Sequence, residues 1–255
     1  MKNEILSASK ITASLPGRHK TLSVAAYETI DSTNRVAKEM SAANPLPLLV
    51  VADGQTAGRG RLGRSFYSPT STGIYMSLAV GGFDSPQSSL FLTTAAAVAV
   101  TDAIISLTGK NAGIKWVNDI YLDGKKIGGI LAEAKDLSNQ TAIILGIGIN
   151  MTTSGFPDEI SESAGSLKSD VPHEEMIAEI CKNLLDYCDL KNKDSIIDSY
   201  KQRSILLGKE INYFAGGVKT PAVAVDIDKN GGLVVRHEDG TFSTLSSGEV
   251  TVRLE

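Results

Sequence analysis

Residues 55–80 read Gln-Thr-Ala-Gly-Arg-Gly-Arg-Leu-Gly-Arg-Ser-Phe-Tyr, then Ser-Pro-Thr-Ser-Thr-Gly, then Ile-Tyr-Met-Ser-Leu-Ala-Val. Gly58, Gly60 and Gly63 satisfy G-x-G-x-x-G, the dinucleotide fingerprint, which requires a strand before it and a helix opening within it. The compact apolar run 48–52 supplies the strand. The helix is missing, because 68–73 is rich in turn formers and 74–80 alternates as a strand does. A Rossmann reading is therefore rejected. A Walker-type phosphate loop is rejected too, since no Gly-Lys-Ser or Gly-Lys-Thr closes the glycine run.

What remains is a loop built to wrap an anion. Arg59, Arg61 and Arg64 stand among three glycines with no acidic residue between them, in a chain of net charge -4. Glycine brings backbone N–H groups close to a ligand, and the guanidinium fork suits phosphate or carboxylate. A solvated flexible loop is the plain alternative for a basic run. The glycine spacing and the flanking strands favour a ligand loop.

At 255 residues and 42% hydrophobic, the chain can bury one sizeable core and a small second one. No apolar run is expected to reach the roughly 20 residues that span a bilayer, and residues 1–20 lack a signal-peptide core, so a cytoplasmic protein is expected. Cys181 and Cys188, seven apart in a helix-like segment, sit roughly 10 Å apart, too far for a disulfide. His19, His173 and His237 are scattered, which gives no zinc-site spacing and no metal-ligating residues. A nucleic-acid protein would spread basic charge over a whole face.

Along the chain, 22–30 reads as a strand. Asp31, Ser32 and Thr33 then offer capping side chains to a helix over 34–43 that Asn44-Pro45 ends. Residues 88–107 read as a largely buried helix closed by Gly109. Four strand-like pieces follow at 113–117, 119–122, 126–133 and 140–149, with Asp123-Gly124 as one tight turn. Consecutive hairpins imply a mixed or antiparallel sheet. Helical patterning returns over 173–204. After Gly208, short β-rich pieces with turns at Gly216-Gly217, Asn230-Gly231-Gly232 and Asp239-Gly240 suit a small barrel. The expected division is 1–206 and 207–255.

Five clusters stand at strand ends: Ser32-Thr33-Asn34, Gln55 with the arginine loop, Lys115-Trp116-Val117-Asn118-Asp119, Lys126-Ile127-Gly128-Gly129-Ile130 and Gly146-Ile147-Gly148-Ile149-Asn150. In their order and spacing they resemble the biotin-protein ligases, over nearly the whole chain from about residue 22. That resemblance implies an α+β fold: a mixed, largely antiparallel sheet flanked by helices, similar to class II aminoacyl-tRNA synthetases, followed by an SH3-like β-barrel. It also implies an enzyme that joins biotin to ATP as biotinoyl-5′-AMP and passes biotin to a lysine of a biotin carboxyl carrier protein.

The resemblance carries roles to particular residues. Lys115, Arg59 and Arg61 are the catalytic candidates; Lys115 can bridge a carboxylate and the α-phosphate and stabilise oxygens that gain charge. Biotin falls to Ser32, Thr33, Asn34, Gln55, Gly58, Arg59, Gly60, Arg61, Lys115, Gly128 and Gly129. Hydroxyls and amides suit its cyclic urea, and glycines admit a close approach, with a β-bulge as the plain alternative at Gly128-Gly129. The nucleotide falls to Arg61, Arg64, Phe66, Trp116, Asn118 and Asn150. Mg²⁺ is expected with ATP, and Asp119 either makes a structural hydrogen bond or lies near that ion. The arginine loop is expected to be mobile when empty and to order over its anions.

Two departures bear on these expectations. Too few residues precede Ser32 for the N-terminal DNA-binding domain that some such ligases carry, so no DNA partner is expected, and no membrane partner either. Val117 stands where the family commonly has proline, which should keep an extended backbone with little change in stiffness. The resemblance admits a homodimer without specifying one. Rival readings are a lipoate-protein ligase, which shares the adenylating core, and a non-catalytic biotin sensor.

Overall fold

The computed structural model describes residues 6–83, 85, 88–138, 140–188, 193–215 and 218–252. In chain order they form α1 (Ala8–Ser14), β1 (Ser23–Ile30), α2 (Thr33–Met40), β2 (Leu48–Gln55), β3 (Gly73–Phe83), α3 (Ser88–Thr108), β4 (Gly113–Lys115), β5 (Asp119–Leu122), β6 (Lys125–Leu137) and β7 (Gln140–Asn150). Then come α4 (Asp158–Ser161), α5 (His173–Cys188), α6 (Lys193–Arg203), β8 (Glu210–Ala215), β9 (Val218–Ile227), β10 (Leu233–Arg236), β11 (Phe242–Leu245) and β12 (Glu249–Val252).

The first seven strands make one sheet in the order β1-β2-β3-β7-β6-β5-β4. β1 and β2 run parallel, joined through α2. Their other neighbours pair antiparallel. Side chains alternate between two faces. Leu48 and Val50 of β2, with Ala142 and Ile144 of β7, pack under α2 around Ala37. Leu49, Val51, Ile143 and Leu145 point the other way, into the main core beneath α3 and α5. The sheet is thus the middle of three layers, with the larger apolar mass on the α3 side.

α3 is a 21-residue helix buried along most of its circumference. It corrects one expectation, because it is long and apolar enough to cross a membrane by length and composition. Here 72% of its most apolar window is buried inside the protein. Its hydroxyls are absorbed locally: Thr93, Thr94, Thr101 and Thr108 each donate to a carbonyl four residues earlier, which removes the cost of placing them in apolar surroundings. Gly109, at φ +69°, closes the helix with its N–H on Ile105 O at 2.9 Å.

Other boundaries shifted. The pattern over 173–204 is two helices, α5 and α6, rather than one. α2 ends at Met40, and 41–44 continue as turns. α1, unforeseen, packs on α5, and its Ile11 and the following Leu15 join the main core. The Asp123-Gly124 turn has positive φ at both residues, as a tight two-residue hairpin demands. Gly216-Gly217 lies outside the described residues.

β8 to β12 form a second, five-stranded antiparallel sheet in the order β11-β10-β9-β8-β12, where the resemblance implied a barrel. Its inward residues Ile211, Ala224, Leu233 and Val235 join the same hydrophobic cluster as α3 and the large sheet. Lys201 pairs with Asp226 at 2.7 Å across the junction. Trp116 Nε1 also donates to Gly231 O at 2.9 Å, a buried bond between the two sheets.

Candidate active site

A cavity of about 300 Å³ opens where the side chains on the α2 face of β7 stop. Ala142 and Ile144 fill the space under α2, but the next residues on that face are Gly146 and Gly148. A Cβ at Gly146 would stand 2.0 Å from Asn34 Oδ1, and one at Gly148 would stand 2.5 Å from Phe66 Cε1. Both glycines are needed so that Asn34 and Phe66 can lie against the strand. Phe66 meets Tyr75 edge-on at 6.4 Å between ring centroids. Leu131 pairs with Gly146 across the ladder and adds an apolar wall.

One end of the cavity is a hydrogen-bonded amide and hydroxyl network. Buried Ser77 places its hydroxyl 2.8 Å from Thr33 Oγ1 and 2.6 Å from Asn34 Oδ1. Asn34 Nδ2 donates to Glu133 Oε2 at 2.8 Å. Gln55 Oε1 accepts from Thr33 N–H at 2.8 Å and from Thr33 Oγ1 at 3.1 Å. This corrects the expected cap. Ser32 makes no side-chain bond to the helix; the amide of Gln55, reaching over from β2, satisfies the first turn instead.

The arginine loop is a short hairpin. Phe66 N–H donates to Gly58 O at 2.9 Å, Gly60 N–H donates to Arg64 O at 2.7 Å, and Arg59 bridges Ser65. At its tip Leu62 and Gly63 take φ of +56° and +76°, and Leu62 is 74% exposed. Arg59, Arg61 and Arg64 all line the cavity. Arg61 Nη1 donates to Asn118 Oδ1 at 3.1 Å, which ties the hairpin to the segment between β4 and β5.

That segment carries the remaining charges. Half-buried Lys115 holds its Nζ 5.7 Å from the Tyr121 ring centroid, a cation–π distance. Lys126, on β6, pairs with Asp119 at 2.6 Å. Asn118 Nδ2 donates to Ile130 O at 2.9 Å, and buried Tyr200 donates to Val117 O at 3.1 Å. Burial, more than the nearby Asp119 carboxylate, pushes the Tyr200 hydroxyl far above the usual tyrosine range. It stays a neutral donor. The Trp116–Val117 peptide is cis. Among the described residues, five cationic side chains and one carboxylate thus line a single cavity.

The Biotin/lipoate A/B protein ligase family model matches residues 26–150. The biotin--[acetyl-CoA-carboxylase] ligase of Mycobacterium tuberculosis is 30% identical over 242 residues, covering 91% of this chain and 88% of that one. The chain belongs to the biotin-protein ligase family. The bifunctional ligase/repressor BirA of Bacillus spizizenii is 43% identical over 144 residues, 55% of this chain and 44% of that protein. The match therefore spans less than half the length of that relative. Among solved structures, the biotin protein ligase from Aquifex aeolicus in complex with biotin and ATP aligns with a TM-score of 0.74 at 27% identity, covering 91% of this chain and 99% of that one.

Of the residues this family's likeness had suggested, most converge. Ser32, Thr33, Asn34, Gln55, Arg59, Gly60, Arg61, Arg64, Phe66, Lys115, Trp116, Asn118 and Gly129 line the cavity. Three do not. Gly58 turns toward Phe66 O and Ser68 Oγ, where a Cβ would collide at 2.5 and 2.6 Å, so its role is to close the hairpin. Gly128 faces Gly148 O across the ladder at 2.8 Å from an added Cβ. The bulge near it falls at Ile127, between the pairs Ile120–Gly128 and Tyr121–Lys126. Asn150 donates to Gly165 O at 2.9 Å and leaves a buried Oδ1 without a partner, away from the cavity.

Sequence reasoning missed Lys126, Leu131, Gly146 and Gly148 as lining residues, and with them Gly248, which precedes β12, and Val250 and Thr251 of β12. Lys126 had a signal, since it opens the Lys-Ile-Gly-Gly cluster. The β12 residues had none, because only the tertiary fold brings that strand to the cavity mouth.

Proposed function

We propose that the protein is an ATP-dependent ligase that attaches biotin to a lysine of a biotin carboxyl carrier protein. One observation carries this reading. Cations from two distant segments, 59–64 and 115–126, close on one cavity whose other end is lined by hydroxyls and amides over a glycine floor, with the Glu133 carboxylate accepting from Asn34 Nδ2. A ligand with a polar uncharged ring, an apolar body and a carboxylate fits that polarity, and phosphates suit the same cations.

In the first step a biotin carboxylate oxygen attacks the α-phosphorus of ATP. The bond from that phosphorus to the bridging oxygen breaks, and pyrophosphate leaves. Lys115, Lys126 and Arg61 counter the negative charge gathering on the phosphorus oxygens and the leaving group, while the hairpin excludes water from the acyl phosphate. In the second step a neutral lysine amine of the carrier attacks the acyl carbon, AMP departs with the electrons of the broken C–O bond, and the amine nitrogen gives up one proton to solvent. Holding the acyl group in place provides much of the rate, with effective molarities of about 10⁵ M attainable.

Mg²⁺ would shield phosphate charge. Among the described residues Asp119 is the one carboxylate lining the cavity, and no group of three or more His, Cys, Asp or Glu side chains forms a metal cage. That donor set fits an ion held mainly by phosphate and water oxygens, with Asp119 contributing one ligand.

The test is biotin-dependent ATP–pyrophosphate exchange, followed by mass spectrometry of a carrier fragment incubated with enzyme, biotin, ATP and magnesium. Exchange with biotin but not lipoate is expected, along with a carrier mass gain of one biotinoyl group. Lys115→Ala should lower exchange by roughly 100-fold, the scale for losing one preorganised charge-stabilising donor. No exchange with biotin would overturn the reading.

A further inference from the structure

The cavity belongs mostly to the large sheet, yet Trp116, one of its lining residues, is held from the other one. Trp116 is 4% exposed and its indole N–H is spent on Gly231 O at 2.9 Å. The accepting turn is rigid: Asp228 Oδ1 takes the N–H groups of Asn230 and Gly232 at 2.8 Å each, and Asp228 N–H donates to Gly232 O at 2.8 Å. Gly231 itself has φ +88° and sits so close to α3 that an added Cβ would stand 2.3 Å from Thr94 Oγ1. The turn is therefore wedged between α3 and Trp116.

We propose that the turn at 228–232 is a positioning element for the nucleotide half of the site, acting through Trp116. The inference rests on the ligase reading above. Lys115, Asn118 and Asp119 flank the tethered indole and line the cavity. The network formed by Thr33, Asn34, Gln55 and Ser77 has no bond to that segment. Loosening the tether should displace the groups facing phosphate and spare those facing the cyclic urea.

Trp116→Phe keeps a ring in place and deletes the donor. It should raise KM for ATP in the exchange assay about tenfold, because a buried acceptor is left unpaired, while biotin affinity by calorimetry stays within about twofold. A second variant acts from the far side and alters no cavity-lining residue. Gly231→Ala should raise KM for ATP similarly and shift the emission of Trp116, the chain's single tryptophan. Adding Thr94→Ala removes the colliding oxygen and should reverse much of both effects, the left-handed φ remaining.

An unchanged KM for ATP in either single variant overturns the proposal. So does an equal loss of ATP and biotin affinity, which would mark a general loosening. If the wild-type protein shows no exchange at all, the ligase reading fails instead. The emission of Gly231→Ala, with and without Thr94→Ala, still decides whether the turn governs Trp116.

Discussion

At Gly148 a single hydrogen stands where neighbouring strand residues carry branched side chains, and Phe66 occupies the room this leaves. Gly148→Ala drives a methyl into that ring at 2.5 Å. Crowding of this kind costs about 1–3 kcal/mol. Since the ring can swing into the cavity, the expected result is roughly tenfold weaker biotin binding by calorimetry, with a fall of a few degrees in Tm. Unchanged affinity would mean that Phe66 does not bound the ligand. Arg59, Arg61, Arg64 and Lys115 were legible in the sequence, because arginines among glycines and a lysine beside the only tryptophan stand out locally. Gly146, Gly148 and Ser77 were less so. Their meaning lies in cross-strand register, which puts Ser77 opposite Gly146 and both beneath Asn34. Gln55 as a helix cap was illegible for the same reason, since it acts 22 residues from its own position.

Among elements, the hairpin over 58–66 has a firm base and a bare tip. Its base is stitched by main-chain bonds, while Leu62 at the tip is largely exposed and three arginines repel one another nearby. Limited trypsin digestion should cut at Arg61 or Arg64 in the free protein, and biotin with ATP together should slow that cut at least about fivefold. Equal rates would show that the hairpin does not close over the ligands. Strands and long helices were read well because their periodicity is strong. α3 announced itself by composition and its glycine stop. α1 did not, since a seven-residue helix with one fully buried side chain has almost no pattern to detect. The split between α5 and α6 escaped notice because both carry helical periodicity.

Across the whole molecule the two sheets share one apolar cluster, with α3 against both α5 and α6 and Leu233 and Val235 packed into the same mass. Calorimetry should therefore show one unfolding transition, coincident with the change in Trp116 fluorescence. Two resolved transitions would make the C-terminal sheet an independent unit, as its turn-rich sequence alone had suggested. The second sheet begins with β8 at Glu210, and sequence patterning carries no information on whether two sheets share a core.

α3 has a further consequence for biosynthesis. A ribosome that has just added Thr108 displays a helix apolar on nearly every side, while α5, one of its covering partners, is finished only at Cys188. At about 5–20 residues per second that interval lasts several seconds. During translation the nascent chain thus carries its greasiest segment uncovered, a natural target for chaperones and the stage at which misassembly has its best opportunity.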